Sequence, residues 1–211
     1  MAAQLLAIPE RVSGCVVECG AFKGGSTANL SLAAALVGRE LHVFDSFAGL
    51  PAPERDDSAN RIPHLREMHT YEAGMYAGSE LEVRANVERH GQIGVCHFHK
   101  GWFEETLPTF EEPLVLAFLD VDLRSSLRTC VRALWPQLVP GGRMFVHEAP
   151  HLEISSLFFD EAWWRENLDA GAPGLIGAGS GLGLAAAAGG WRSWIGYAVK
   201  LTEDGYTVRR G

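Results

Sequence analysis

The sequence predicts a doubly wound α/β sheet, mostly parallel and closed by an antiparallel strand near its C-terminal end. Three observations predict it. Short apolar runs recur with the length of strands buried on both faces, helical segments alternate with them, and the runs close on acids or glycines. That alternation implies right-handed crossovers.

The elements follow in order. Gly14 to Cys19, GCVVEC, is an apolar run closed by an acid and a glycine, and reads as the first strand. Gly24 to Leu36 reads as a helix, with Ser26 or Thr27 as cap and Gly38 as its stop. Leu41 to Asp45 is the second strand. The polar stretch 51–78 is too long for an ordinary connection and is expected to be a lid or binding loop. Glu80 to Arg89 reads as a helix, Val95 to Lys100 as the third strand, and Leu114 to Asp122 as the fourth. Ser125 to Leu138 is amphipathic and helical, Arg143 to Glu148 is the fifth strand, and Ser155 to Leu168 is read as one further helix. A Gly/Ala-rich loop spans 170–190, and Trp194–Lys200 with Tyr206–Arg210 is expected to form a terminal strand pair. No linker or internal repeat divides the chain, so 1–211 is expected to be one domain.

Composition narrows the function. With 211 residues, 47% apolar and 21% charged, the chain suits a globular domain with a sizeable core. Its net charge of −8 argues against nucleic acid as partner, since phosphate binding needs a basic face. No apolar run is long enough to span a bilayer, and the first residues lack the basic start of a signal peptide, so a cytoplasmic location is expected. Cys15, Cys19, Cys96 and Cys130 form no CxxC pair and read as small buried hydrophobes.

In a doubly wound sheet the ligand lies beyond the carboxyl ends of the strands, where the winding reverses. The first strand ends in Glu18-Cys19-Gly20-Ala21-Phe22-Lys23-Gly24-Gly25-Ser26. Glycines let a backbone turn sharply and approach a ligand, and the next helix presents free amides. An acid there would repel phosphate but suits an ammonium group. The segment is neither GxGxxG nor a Walker loop, whose lysine is missing. It suits a nucleoside bearing an amino acid, with Gly20, Lys23 and Ser26 as candidate contacts beside Glu18. Asp45, ending the second strand, stands where an acid accepts from ribose hydroxyls. His99-Lys100-Gly101-Trp102-Phe103 offers an aromatic wall for an adenine ring, with plain core packing as the alternative for the two aromatics.

These segments carry a resemblance. ECGAFKGGS, FDSFAGLP, KGWFEETLP, LDVD and the PGG before the fifth strand, from about Val16 to about Glu148, resemble the macrocin O-methyltransferase (TylF/MycF-type) family of sugar-modifying enzymes. The resemblance implies a Rossmann-like class I methyltransferase sheet and methyl transfer from S-adenosylmethionine to a hydroxyl of a small-molecule acceptor, commonly a deoxysugar or other natural-product scaffold, with bound magnesium. It further implies that Glu18 and Gly20 face the methionine part, Asp45 the ribose, Ser46 and Trp102 the adenosine, and Asp120 the metal. Relatives imply a homodimer.

The departures are specific. Family members usually carry an Asp-Asp pair after the fifth strand, where this chain has His147 and Glu148. Magnesium prefers oxygen ligands, so three alternatives stand: a nitrogen-tolerant ion such as Mn, Fe or Zn on Asp120, His147 and Glu148; a weak magnesium on Asp120 and Glu148; or no metal, with His147 as a base. Asp120 and His147 are the residues expected to handle the acceptor's proton. The usual LDGD-Tyr stretch reads Leu119-Asp120-Val121-Asp122-Leu123-Arg124, and the chain begins only a few residues before its first strand, so the acceptor side is expected to differ.

His147-Glu148-Ala149-Pro150-His151 matches HExxH, but that zinc signature needs a helix, and here it follows a strand and contains a proline. His97 and His99 read as packed or half-exposed strand residues. His64, His69, Tyr71 and Tyr76 in the insertion are either solvated or contact the acceptor. Two rival functions remain at this stage: a dinucleotide-dependent oxidoreductase, and a non-catalytic relative that binds the cofactor without turnover.

Overall fold

A computed structural model of the chain describes residues 1–55, 57, 59–63, 65–177 and 194–201. The strands are β1 (Cys15–Cys19), β2 (Leu41–Asp45), β3 (Ala59–Ile62), β4 (Glu67–Thr70), β5 (Cys96–Lys100), β6 (Leu114–Leu119), β7 (Leu138–Val146), β8 (Ile176–Gly177) and β9 (Gly196–Val199). The helices are α1 (Ala2–Leu6), α2 (Gly25–Leu36), α3 (Glu80–His90), α4 (Phe103–Thr106), α5 (Arg124–Gln137), α6 (Leu152–Ser155) and α7 (Glu161–Leu168). Seven strands form one sheet in the order β5-β2-β1-β6-β7-β9-β8, parallel from β5 to β7 and antiparallel beyond. The chain winds outward from β1 through β2 to β5, then returns to lay β6 on the other side of β1. The winding therefore reverses between β1 and β6.

Alternation along the buried strands assigns each side chain to one of two cores. Cys15, Val17 and Cys19 of β1 pack with Leu127, Val131 and Leu134 of α5 and with Trp164 of α7. Val16 packs on the opposite face with Ala28, Ala33 and Ala34 of α2 and with Val83 and Val87 of α3. Small alanines let α2 lie close on the sheet. Three cysteines are buried as expected; Cys96 is only half-buried, because β5 is the edge strand, and all four are free. Lys200 donates to the carbonyls of Trp135 and Pro136 at 2.8 and 3.0 Å, capping the last turn of α5.

Several local expectations need correction. The segment 51–78 is no plain loop but carries the β3–β4 hairpin, whose Asn60 and Ile62 point inward. The single helix expected from Ser155 to Leu168 is broken at Asp160, whose side chain accepts from the Trp163 amide at 3.1 Å and starts α7. The stretch expected as loop at 170–190 contributes the two-residue strand β8 against β9. Its remainder from 178, like Tyr206–Arg210, lies outside the described residues. Among the described residues, no helix is long and apolar enough to cross a membrane.

One contact pins the reversal point. Gly20 has φ +88°, and a Cβ there would lie 1.9 Å from the Asp120 carbonyl oxygen. Gly20→Ala should therefore cost about 2–4 kcal/mol in urea unfolding. Gly94→Ala, where an added Cβ meets nothing within 4 Å, should stay within about 0.5 kcal/mol of the parent. Equal stability of the two variants would contradict this close approach.

Candidate active site

The hydrogen-bond ladder continues past the strands and brings their ends into one row. Gly101 donates to Asp45, Gly20 to Phe44, Asp120 to Cys19 and His147 to Leu119, with backbone distances of 3.1, 3.0, 2.9 and 2.9 Å. Gly101, Asp45, Gly20, Asp120 and His147 thus stand side by side along the carboxyl edge, in the order of their strands. Above them opens a cavity of about 440 Å³, within the range of small-molecule sites. Ser46, Trp102, Phe103 and Glu104 line one end, and Asp120, Asp122, His147, Glu148 and His151 the other. Phe22, Tyr76 and Asp122 line it with backbones in the left-handed region, which non-glycine residues hold only when the surroundings enforce it.

Asp45 organises the nucleotide-like end. One carboxylate oxygen accepts from the amides of Ala21 and Phe22 at 2.6 and 3.3 Å, and the other from Phe47 at 2.6 Å. This clamps the glycine turn after β1 onto the end of β2, and a carboxylate so held keeps acceptor capacity for another donor. Ser46 accepts from Ala48 and donates to the Gly49 carbonyl, shaping the adjoining loop. Trp102, 37% exposed, presents its ring at the cavity edge.

Three residues expected at the cofactor do not line this cavity. Glu18 is wholly buried behind the glycine turn, because alternation along β1 points it at the first turn of α2. Burial raises its carboxyl to about 7, and the hydroxyls of Ser26 and Thr27 only partly offset that. Ser26 faces the same acid rather than the cavity. Lys23 is exposed, its ammonium 5.4 Å from the Phe22 ring centroid.

The other end is a charge cluster. His147 Nδ1 lies 2.5 Å from Glu148 Oε1 and 3.1 Å from Asp120 Oδ1. Burial pulls the imidazole's pKa down, but hydrogen bonds to Asp120 and Glu148, with their charges, outweigh it and raise it to about 10. His147 is therefore an imidazolium near neutral pH and, as it stands, no general base. Burial raises Glu148, and burial together with the Asp120 charge raises Asp122 to about 7. His151 behaves oppositely. Burial lowers it to about 4, so it is a neutral imidazole; its Nδ1 lies 3.3 Å from Asn60 Nδ2 and 3.4 Å from the Tyr71 hydroxyl, while its buried Nε2 has no partner. The backbone from His147 to Pro150 is bend and turn, which removes the helical HExxH reading.

The hairpin insertion walls this end. His69 and Tyr76 line the cavity, and Tyr71 is buried against His151; His64 lies outside the described residues. His69 also stacks on Trp194 at 5.8 Å, and Trp194 meets His151 edge-on at 5.6 Å. The sequence places Trp194 at the start of the terminal strand but not at the site, although an antiparallel strand begins where its parallel neighbours end. Asn60 gave no signal.

The family model described as macrocin-O-methyltransferase (TylF) matches residues 3–165. The chain belongs to the macrocin O-methyltransferase family. It is 34% identical over 147 residues to 8-demethyl-8-(2,3-dimethoxy-alpha-L-rhamnosyl)-tetracenomycin-C 4′-O-methyltransferase of Streptomyces olivaceus, and 31% identical over 147 residues to demethyldecarbamoylnovobiocin O-methyltransferase of Streptomyces niveus. Each match covers 67% of this chain and 55% of the relative, so the chain spans about half the length of these curated relatives. Among solved structures, the O-methyltransferase NovP superposes with a TM-score of 0.68 at 23% identity, covering 95% of this chain and 76% of that one. The calicheamicin methyltransferase CalS11 gives 0.61 at 19%, covering 94% and 76%. Both share the fold.

The raised groups set a pH dependence. A pKa higher in the folded chain means the folded state holds more protons, so that stability is full below the unfolded value and falls as pH rises through the folded one. Glu18, Asp122, Glu148 and His147 all have this sign. His151, shifted down, acts oppositely and only below about pH 6.5. Glu18 and Asp122 have lost their contribution by about pH 7, so between about pH 7 and about pH 9 it is Glu148 and His147 through which the ligand-free chain should lose melting temperature in scanning calorimetry. A melting temperature that rises across that window would contradict the cluster's assignment.

Proposed function

We propose that the chain is an S-adenosylmethionine-dependent O-methyltransferase that methylates a hydroxyl of a sugar or sugar-bearing natural product. The observation that carries this reading is the single row of strand ends, which puts an aromatic and ribose-type end and an acid–imidazole end on one cavity. Family membership supports the chemistry, and the name of the Streptomyces olivaceus relative supports a rhamnosyl-type acceptor.

S-adenosylmethionine supplies a methyl group already activated by its sulfonium. The cavity fits such a molecule: aromatic and apolar walls from Trp102, Phe22, Leu50 and Pro51, and carboxylates from Asp45 and Asp120 toward a cationic centre. Asp45 takes the ribose hydroxyls, Ser46, Gly101 and Trp102 the adenosine, and the backbone at Gly20 the region nearest the sulfur. Glu18 and Ser26 act behind the turn, by holding α2 against β1. The residues' main task is to keep acceptor oxygen, methyl carbon and sulfur collinear, and positioning of this kind supplies on the order of 7 to 11 kcal/mol.

At the acceptor end, the unpartnered Nε2 of His151 is the polar atom that needs a hydrogen bond from or to an incoming hydroxyl. Asp120 faces the cavity beside it, held by the His147 imidazolium. The hairpin, with His69 and Tyr76, closes this end as a lid over the acceptor. A divalent ion belongs to the reading. Asp120, His147 and Glu148 offer three ligand atoms within 4.8 Å of one another, and the outer Glu148 oxygen is buried without a partner. Two carboxylates and one imidazole suit Mn2+, Fe2+ or Zn2+ better than Mg2+. Such an ion, when bound, lowers the pKa of an acceptor hydroxyl, and His147 would then be its ligand after losing its proton.

The test is turnover of S-adenosylmethionine with a panel of rhamnosyl glycosides, read as S-adenosylhomocysteine and methylated product. Homocysteine-form binding without product on any hydroxylated acceptor would favour a non-catalytic relative. Asp45→Ala should weaken S-adenosylhomocysteine binding by about 10- to 100-fold in calorimetry. His147→Ala should leave that binding intact and lower turnover by about 10²-fold or more; a fully active His147→Ala would remove His147 from the chemistry. After chelator treatment, Mn2+ should restore more activity than Mg2+. Equal restoration, or none needed, would contradict the assigned donor set.

A further inference from the structure

At the end of the sheet opposite the cavity, a second group of ligand-bearing side chains converges. His42, second residue of β2, lies in register with His97 of β5, and their rings stack at 4.9 Å. His42 is 5% exposed, and its Nε2 has no hydrogen-bond partner. That nitrogen faces two carboxylates, Glu40 at 3.8 Å and Glu112 at 3.7 Å, and His97 Nε2 lies 3.6 Å from the other oxygen of Glu40. An adjoining groove lined by Cys15, Arg39, Glu40 and Glu112 opens the two glutamates to solvent.

We propose that Glu40, His42, His97 and Glu112 form a binding site for a borderline divalent cation of the Zn2+ type, separate from the methyl-transfer cavity. The spacing supports it. Four ligands at about 2.0–2.1 Å in a tetrahedron stand about 3.3–3.4 Å apart; His42 to Glu40, His42 to Glu112 and His97 to Glu40 are already at 3.8, 3.7 and 3.6 Å, and the exposed Glu112 and the stacked, exposed His97 ring must turn inward to complete the set. The support behind the ligands is also in place. His42 Nδ1 lies 3.0 Å from His99 Nε2, and with the proton on Nδ1 the His42 Nε2 lone pair points at the carboxylates. His99 is itself held flat against Phe44, ring centroids 4.2 Å apart. Burial lowers the pKa of His42 and of His99, which favours the neutral form that binds metal. Cys15 Sγ lies within 4.8 Å of the His42 and Glu112 ligand atoms, but burial raises its thiol to about 12, so it stays protonated unless an ion displaces the proton. Two imidazoles exclude a Ca2+ or Mg2+ preference. Bound there, the ion would tie the edge strand β5 and the segments before β2 and β6 into one unit.

The test uses the full chain freed of metal, with zinc chloride titrated against a chromophoric chelator. The His147→Ala variant removes the cavity's own acid–imidazole cluster from the count. It should still bind one Zn2+, and adding His97→Ala or Glu112→Gln should weaken that zinc about tenfold or more. Both added positions are exposed, so the fold should tolerate them. Replacement by Co2+ should give the visible d–d bands of a tetrahedral ion, lost with His97→Ala. A His147→Ala chain that binds no zinc, or zinc binding unchanged by His97→Ala and Glu112→Gln, would overturn the site.

Discussion

The close approach of β1 and β6 at Gly20 and Asp120 is the constraint on which the rest of the structure depends. The helices that follow these two parallel strands pack on opposite faces of the sheet, and the amide of Asp120 still bonds to Cys19 beyond the last paired residues. A side chain on Gly20 would separate the two strands. Because they stay together, the acid at the end of β6 sits directly beside the glycine turn, and the neighbours on either side, Asp45 and His147, inherit their positions from the same ladder. Asp45 then locks the turn from the other side through the amides of Ala21 and Phe22, and its own loop through that of Phe47.

Most of this frame was legible in the sequence. Buried parallel strands advertise themselves as apolar runs, and their last residues are the ones a ligand meets, so Asp45, Gly101, Trp102, Asp120 and His147 could be named from strand ends alone. The same logic erred where a side chain's face matters more than its position. Glu18 precedes the glycine turn by two residues, yet alternation directs it beneath α2 rather than into the cavity. Hairpin β3–β4 and strand β8 escaped because each is short and its partner is decided by tertiary packing rather than by periodicity. Asp160, by contrast, was a readable cap, and reading it would have split the helix correctly.

His147 and Glu148 set the electrostatics of this end of the cavity. Two acids beside Asp120 would concentrate negative charge that a cation must neutralise. The imidazole of His147 places a proton between Asp120 and Glu148, so the cluster carries its own positive charge. Neutral His151, with its unpartnered Nε2, lines the same cavity and packs against Trp194 and the hairpin's His69.

The central claim is that the cavity at the β1–β6 reversal holds the methyl donor. A crystal structure of the chain with S-adenosylhomocysteine tests it most directly. The account predicts the ribose on Asp45, the adenine against Trp102, and the sulfur above Gly20 facing Asp120. Density for the ligand elsewhere on the molecule, with Asp45 still bound only to its three amides, would contradict it.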